Sequence, residues 1–230
     1  MRTRGISTNN SAQQQPVPKT FTLSFEQVTY STAAAGFIGI AFLQLLAASV
    51  AIVRDDLSIA FSNALGGSVC LIAGIHYQWM RLSIYNNSEL ISTRYSDWYI
   101  TTFLMLVEFF NISGTIIQNW EWLTASCIAC ELMLLCGHVA TVAYDEKLSY
   151  ATTAFVLGLG CGVALAIFVI VGTMDTPVEN QWMYAFMAAW VLYPVAFCVK
   201  PYRNIAYNLL DIYSKGIFGI VLGIITFLQL

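Results

Sequence analysis

Two residues near the carboxyl-terminal end of the chain, Asp211 and Lys215, have the types and spacing to do chemistry together. They stand in the stretch YNLLDIYSKGIFGIVLGIITFLQL, which is otherwise almost wholly apolar. A spacing of four residues puts both side chains on one face of a helix, one turn apart. Because a charge at bilayer depth costs at least about 2.5 kcal/mol, charged residues in such a segment indicate a functional site.

Lys215 has two interpretations at this point. A lysine in an apolar pocket can lose its proton and form a Schiff base with an aldehyde. The protonated Schiff base is still a cation, and Asp211 is placed to be its counter-anion. The alternative is a structural ion pair inside a membrane bundle, and this segment alone favours the two equally.

A second polar series lies in the third apolar segment, RYSDWYITTFLMLVEFF. Arg94, Asp97, Thr101 and Glu108 share one helical face there, and the two acids are eleven residues apart. Eleven residues span about 16 Å along a helix axis. Polar contacts between helices explain one buried acid. Two acids and an arginine on one face favour a proton relay with acids at two depths.

Three further polar residues have less specific patterns. His76, in GIHYQWMR, fits either a buried histidine with an ordinary partner or one that bonds a carboxylate and tunes it. Glu131 is an additional acid in the fourth segment. His138 follows it by seven residues on the same helical face, so the two are candidates for a pair.

The sixth segment contains WVLYP, in which Pro194 removes a backbone hydrogen bond and is expected to kink the helix. Trp190 and Tyr193, three residues apart, share a face beside that kink. Such a pair is usually ordinary core, but a slot for a flat conjugated ligand needs the same residues.

The elements that must position these residues are membrane helices. The chain of 230 residues is 58% hydrophobic and 10% charged, against about 25% charged in soluble domains. We therefore predict an all-α membrane protein, a bundle of seven transmembrane helices with its termini on opposite sides. The predicted spans are Val28–Val53, Leu57–Ile84, Thr93–Ile112, Trp122–Tyr144, Tyr150–Gly172, Gln181–Val199 and Tyr207–Leu230.

The remaining composition limits other interpretations. Residues 1–20 are polar and lack the apolar core of a signal peptide, so we expect a disordered tail before a single domain over residues 21–230. Cys127 and Cys130 form a CxxC motif without a second pair or a histidine cluster, which predicts no metal site. A net charge of −3 gives no indication of nucleic-acid binding.

Taken together, these blocks resemble a microbial (type 1) rhodopsin, closest to the proteorhodopsin clade. The resemblance covers all seven spans and depends on RYSDW with TT and a glutamate, WVLYP, and YNLLDIYSK in combination. It implies a seven-helix bundle that holds all-trans retinal as a protonated Schiff base on Lys215. It also implies a light-driven proton pump rather than an enzyme, in a lipid bilayer, assembled as a homo-oligomer of five or six copies.

The resemblance further implies a role for each matching position. Asp97 corresponds to the primary counterion and proton acceptor, Asp211 to the second counterion, and Glu108 to the proton donor. The positions that relay protons or tune the counterions are Arg94, Thr101, His76 and Tyr77. The positions that line the retinal pocket are Trp98, Thr102, Met105, Met133, Gly137, Trp190, Tyr193, Pro194 and Ser214.

Other functions stay open for the sequence: a light-gated ion channel, a photosensor with a membrane partner, or a receptor or transporter without retinal. Glu108 favours a pump, because a channel or sensor has less need for rapid reprotonation. Family members place the amino terminus outside, which implies outward pumping. The positive-inside rule favours the reverse orientation, because most lysines and arginines lie on the side of the amino terminus and Arg54 lies on the other.

Overall fold

The computed structural model describes residues 25–85, 91–199 and 202–228, and in these ranges the chain forms helices and turns but no strand. The tail predicted over residues 1–20 lies outside the described residues. The first five helices are α1 (Phe25–Val53), α2 (Leu57–Tyr85), α3 (Ile91–Ile112), α4 (Trp120–Asp145) and α5 (Ala151–Gly172). The sixth, α6, covers Val178–Cys198 in several segments, and the seventh, α7, covers Arg203–Leu228.

These helices confirm the predicted all-α bundle of seven spans, with ends within a few residues of those expected. Within the described ranges, six helices are long and apolar enough to cross a membrane. The remaining one is α3, whose Arg94, Asp97 and Glu108 lower its apolar character. Successive helices run antiparallel, and we call the side where α1 begins the N-terminal face and the other side the opposite face.

The bundle has charges inside and apolar side chains outside. Large apolar residues such as Phe42, Ile75 and Val163 are exposed on its surface, at 69%, 61% and 62% of their area. This is the distribution that a lipid environment requires, because hydrocarbon solvates apolar side chains and not charges. The charged residues of the interior, each at most 3% exposed, are Arg94, Asp97, Glu108, Asp211 and Lys215.

Small residues bring α1 and α2 close together. A Cβ atom at Gly67 would lie 3.5 Å from the backbone oxygen of Ala41, and one at Gly74 would lie 3.3 Å from that of Ala34. In a membrane, where helices gain little from hydrophobic burial, close backbone approach of this kind drives association.

Two helices near the predicted site are irregular. In α6, the helical segments Met183–Ala188 and Leu192–Cys198 are joined by a 3₁₀ turn, Ala189–Val191. This turn precedes Pro194, which cannot donate to the carbonyl of Trp190, so the irregularity lies where the expected kink belongs. In α7, residues Ile212–Ile217 form a π-helical turn around Lys215, which the sequence did not predict.

A glycine-to-alanine pair tests the close packing on the opposite face. A Cβ atom at Gly172 would lie 2.7 Å from the Phe110 ring and 2.7 Å from Cβ of Trp122. We expect Gly172→Ala to destabilise the protein by about 1–3 kcal/mol, since neither neighbour can retreat easily. Thermal unfolding in detergent measures the effect. Gly36→Ala is the control, because nothing lies within 4 Å there, and equal melting temperatures for both variants would contradict the packing described.

Candidate functional site

The site is centred on Lys215, whose ammonium group is enclosed by two carboxylates. Its Nζ donates to Oδ2 of Asp97 at 3.1 Å and lies 3.8 Å from Oδ1 of Asp211. The side chains of all three residues are almost completely buried. The nearer acid therefore comes from α3, 118 residues away in the sequence but adjacent in space, while the i, i+4 partner is the more distant one. A buried ion of this kind is stable only while it is paired and hydrogen-bonded.

Asp211 is fixed by hydrogen bonds from three helices. Its Oδ2 accepts from Tyr77 Oη at 2.7 Å and from Trp98 Nε1 at 3.2 Å, and its Oδ1 accepts from Tyr193 Oη at 2.6 Å. Tyr193 also lies 3.1 Å from the hydroxyl of Ser214. This number of donors favours the ionised carboxylate and holds it in one orientation.

Arg94 lies on the N-terminal side of this group in a cage of aromatic rings. Its guanidinium is 3.9 Å from Asp211 and donates to the hydroxyls of Tyr77 at 3.3 Å and Tyr30 at 2.7 Å. Its Cζ also lies 5.5–5.9 Å from the ring centroids of Tyr30, Tyr77, Trp98 and Tyr207. Contacts with the ring faces and hydrogen bonds donated by the planar guanidinium offset the free-energy cost of removing this group from water.

A polar chain continues from Arg94 toward the N-terminal face. Arg94 donates to Asn208 at 2.7 Å, and Asn208 donates to the hydroxyl of Thr29 at 2.9 Å. Thr29 in turn donates to the backbone oxygen of Glu26 at 2.7 Å, and the Glu26 carboxylate accepts from Asn204 at 2.9 Å. The buried cluster is thereby connected by hydrogen bonds to an acid near the surface.

Asp97 has a second neighbour and a local support. Nε2 of His76 lies 3.6 Å from its Oδ1, so the histidine of α2 is close to the carboxylate that faces Lys215. Thr101 donates to the backbone oxygen of Asp97 at 2.8 Å, one turn along α3. The structure thus brings His76, Thr101 and Asp97 together.

Glu108 lies apart from the Lys215 cluster, three turns along α3 toward the opposite face. It is 1% exposed, it forms no ion pair within the described part of the chain, and its Oε1 has no hydrogen-bond partner there. Its neighbours are Gly66 of α2 and Gln44 of α1. The two acids of α3 therefore lie at different depths and in different surroundings.

Two adjoining cavities extend from Lys215 between α3, α4, α5 and α6. The smaller, of about 60 Å³, adjoins Lys215 and Asp211. The larger, of about 430 Å³, is almost wholly apolar and reaches Gly162 of α5. The residues that line both are Trp98, Met133, Leu134, Trp190 and Tyr193.

Every predicted pocket residue borders one of these cavities. Thr102, Met105 and Ser214 line the smaller one in addition to the shared residues, and Gly137 and Pro194 line the larger one. The space is long, apolar and closed at one end by a lysine with two counter-anions. These features fit a linear conjugated aldehyde attached at Lys215.

The sequence matches the profile of the bacteriorhodopsin-like protein family over residues 26–229. The chain belongs to this family. Among curated proteins it is similar to the green-light absorbing proteorhodopsin of the gamma-proteobacterium EBAC31A08, with 25% identity over 224 residues, which cover 82% of this chain and 86% of that one.

Solved structures show the same fold. The blue light-absorbing proteorhodopsin from Med12 superimposes with a TM-score of 0.72 at 21% identity, covering 90% of this chain and 98% of that one. The viral rhodopsin OLPVRII gives a TM-score of 0.76 at 19% identity, covering 90% of this chain and 100% of that one. The chain is thus a proteorhodopsin-like microbial rhodopsin and an integral multi-pass membrane protein, and its family implies a retinal chromophore.

The sequence missed several residues around the rhodopsin site. Asn208 shares the α7 face of Asp211 and Lys215 at spacings of three and seven residues, so this pattern was available. Tyr30 gave no signal, because a tyrosine near the end of a membrane helix is common. Glu131 and His138, the suggested pair, form no ion pair within the described residues, and His138 stacks on the Tyr95 ring at a centroid distance of 4.7 Å.

Replacing Lys215 tests whether it is the attachment point for retinal. We expect Lys215→Ala to show no visible absorption band after addition of all-trans retinal, because no other amine lies at the cavity within the described residues. Lys147→Asn is the control, since this lysine is exposed in the turn after α4. Absorption spectra of the two purified variants decide the matter, and a normal visible band in Lys215→Ala would exclude the assignment.

Proposed function

We propose that this rhodopsin is a light-driven proton pump that binds all-trans retinal at Lys215. One observation carries the proposal: α3 bears two buried carboxyl groups, one in contact with Lys215 and the other set apart toward the opposite face. If Lys215 had only a structural role, one ion pair would be enough to stabilise its charge. Two acids at separate depths supply an acceptor on one side of the lysine and a donor on the other.

The residues that would hold retinal are those of the two cavities. Trp98, Trp190 and Met133 line both of them, so these side chains would contact the polyene. When bound through its aldehyde carbon to Lys215, retinal supplies the absorption of visible light and a change of shape that moves Nζ. The chain's own residues account for the remaining steps.

Asp97 is the acceptor in this proposal. Its Oδ2 is 3.1 Å from Nζ of Lys215, within reach of direct proton transfer. Asp211 is less suited, because Tyr77, Tyr193 and Trp98 already donate to it and Arg94 lies beside it. These contacts stabilise its ionised form, so the proton on Nζ moves to Asp97.

Glu108 is the donor. A carboxyl group that is buried and has no charged partner is more stable when neutral, so Glu108 holds a proton in reserve. Two polar pairs lie between Glu108 and the opposite face: Asn111 donates to Ser62 at 2.7 Å, and Asn63 donates to Thr226 at 2.8 Å. This arrangement supports proton supply from that face.

The relay carries protons from the opposite face to the N-terminal face. If the amino terminus lies outside, as the resemblance implies, the pump is outward. The excess of lysine and arginine on the side of the amino terminus is smaller in the structure than the sequence suggests. Arg94 is buried in the bundle, so it does not count as a loop charge. The same proposal includes a homo-oligomer of five or six copies, as the resemblance implies.

Light-induced pH change in cells that express the chain with retinal tests the function. We expect acidification of the medium that a protonophore abolishes, and no pH change in Asp97→Asn, which has lost the acceptor. Alkalinisation would indicate inward transport. A photocurrent that reverses with voltage, without net pH change, would indicate a channel and contradict the pump.

The donor assignment has a separate test. We expect Glu108→Gln to slow reprotonation of Lys215 by on the order of 100-fold, the contribution typical of a positioned proton-transfer group. Flash photolysis of the purified protein measures this rate. Glu131→Gln is the matched control, because Glu131 is a partly buried acid of α4 away from Lys215. Similar rates in wild type and Glu108→Gln would show that Glu108 is not the donor.

A further inference from the structure

Gln44 is an unusual residue for its position. It lies in the middle of α1, an apolar helix, and its side chain is completely buried. Neither Nε2 nor Oε1 of its amide has a hydrogen-bond partner within the described part of the chain. A buried amide without partners is costly, so its presence calls for a polar neighbour.

Two glycines make room for this amide. A Cβ atom at Gly66 of α2 would lie only 2.3 Å from Nε2 of Gln44, and one at Gly219 of α7 would lie 2.9 Å from Oε1. Any larger residue at either position would displace the amide. The Gln44 side chain therefore extends from α1 between α2 and α7, toward the interior and not toward lipid.

The amide extends to the neighbourhood of Glu108. The same Cβ position at Gly66 is 2.6 Å from Oε1 of Glu108, so this carboxyl oxygen and the Gln44 nitrogen border one small space. Oε1 of Glu108 likewise has no partner in the described residues. Nε2 of Gln44 and Oε1 of Glu108 thus lie close together without a direct hydrogen bond, and a buried water with two to four polar partners is found in such a setting.

We propose that Gln44 is the positioning residue for the proton donor Glu108, and that one buried water bridges the Gln44 amide and the Glu108 carboxyl where the two groups meet beside Gly66. This inference rests on the proposed function only where it calls Glu108 the proton donor. A neutral amide suits this task, because it offers both a donor and an acceptor to a protonated carboxyl without adding a charge. A lysine or glutamate at this position would add an ion to the donor's surroundings.

The infrared carbonyl band of Glu108 in the dark protein is the direct test, identified by its absence in Glu108→Gln. We expect Gln44→Met, which keeps the volume but removes the amide, to shift this band to higher frequency because the carboxyl loses hydrogen bonds. A water O–H band that responds to H₂¹⁸O should disappear with it. Reprotonation of Lys215 should slow about tenfold, the loss expected for one hydrogen bond.

Two further variants separate positioning from packing. Ile40→Ala is the control, since Ile40 also packs on Gly219 but has no polar group; we expect it to lower thermal stability and leave the Glu108 band unchanged. Gln44→Asn keeps the amide on a shorter side chain, and we expect it to leave the band closer to its wild-type frequency than Gln44→Met does.

The band is measured in the dark, with and without retinal, so its outcome does not depend on proton pumping. An unchanged Glu108 band in Gln44→Met would overturn the proposal even if pumping is intact. An equal shift in Ile40→Ala would also overturn it, because packing alone would then explain the effect. A shift in Gln44→Met together with absent pumping would support the contact and refute the pump.

Discussion

A buried cation between two carboxylates determines much of this structure. Lys215 carries its charge inside a bundle whose outer surface suits lipid, and it does so because Asp97 and Asp211 are both within 3.8 Å. Each acid in turn needs its own partners: tyrosines and a tryptophan around Asp211, and His76 beside Asp97. Since these contacts come from α2, α3 and α6 as well as from α7, satisfying one charge fixes the relative positions of the four helices.

The same requirement explains why α3 is the least apolar helix of the bundle. Its polar face turns inward, so Arg94, Asp97 and Glu108 avoid lipid at very different depths. Arg94 and Asp97 each have a neighbour of opposite charge, and Arg94 also packs on aromatic rings. Glu108 instead has apolar surroundings and the Gln44 amide nearby. One helix thereby provides a charged environment at one end and a neutral one at the other, and this difference is what a relay needs.

Much of the fold and site was predictable because membrane helices leave simple patterns. Span boundaries follow from apolar runs, and the inward face of α3 follows from the spacing of its polar residues. The residues that were missed depend on contacts between helices. Gln44 comes near Glu108 only because glycines on α2 and α7 leave room for its amide, and no pattern in the sequence marks the π turn around Lys215. A single sequence carries no periodicity that reports such contacts.

The charge balance of the Lys215 cluster has a consequence for the order of events. Arg94 and Lys215 contribute two positive charges, and Asp97 and Asp211 contribute two negative ones, so the group is neutral overall. Moving a proton from Lys215 to Asp97 keeps it neutral, and the low-dielectric interior tolerates the change. In the proposed pump, return of a proton from Glu108 to Lys215 would give the group one net positive charge. Release of the proton on Asp97 would remove that excess, so the charge balance would couple each proton taken up to one proton released.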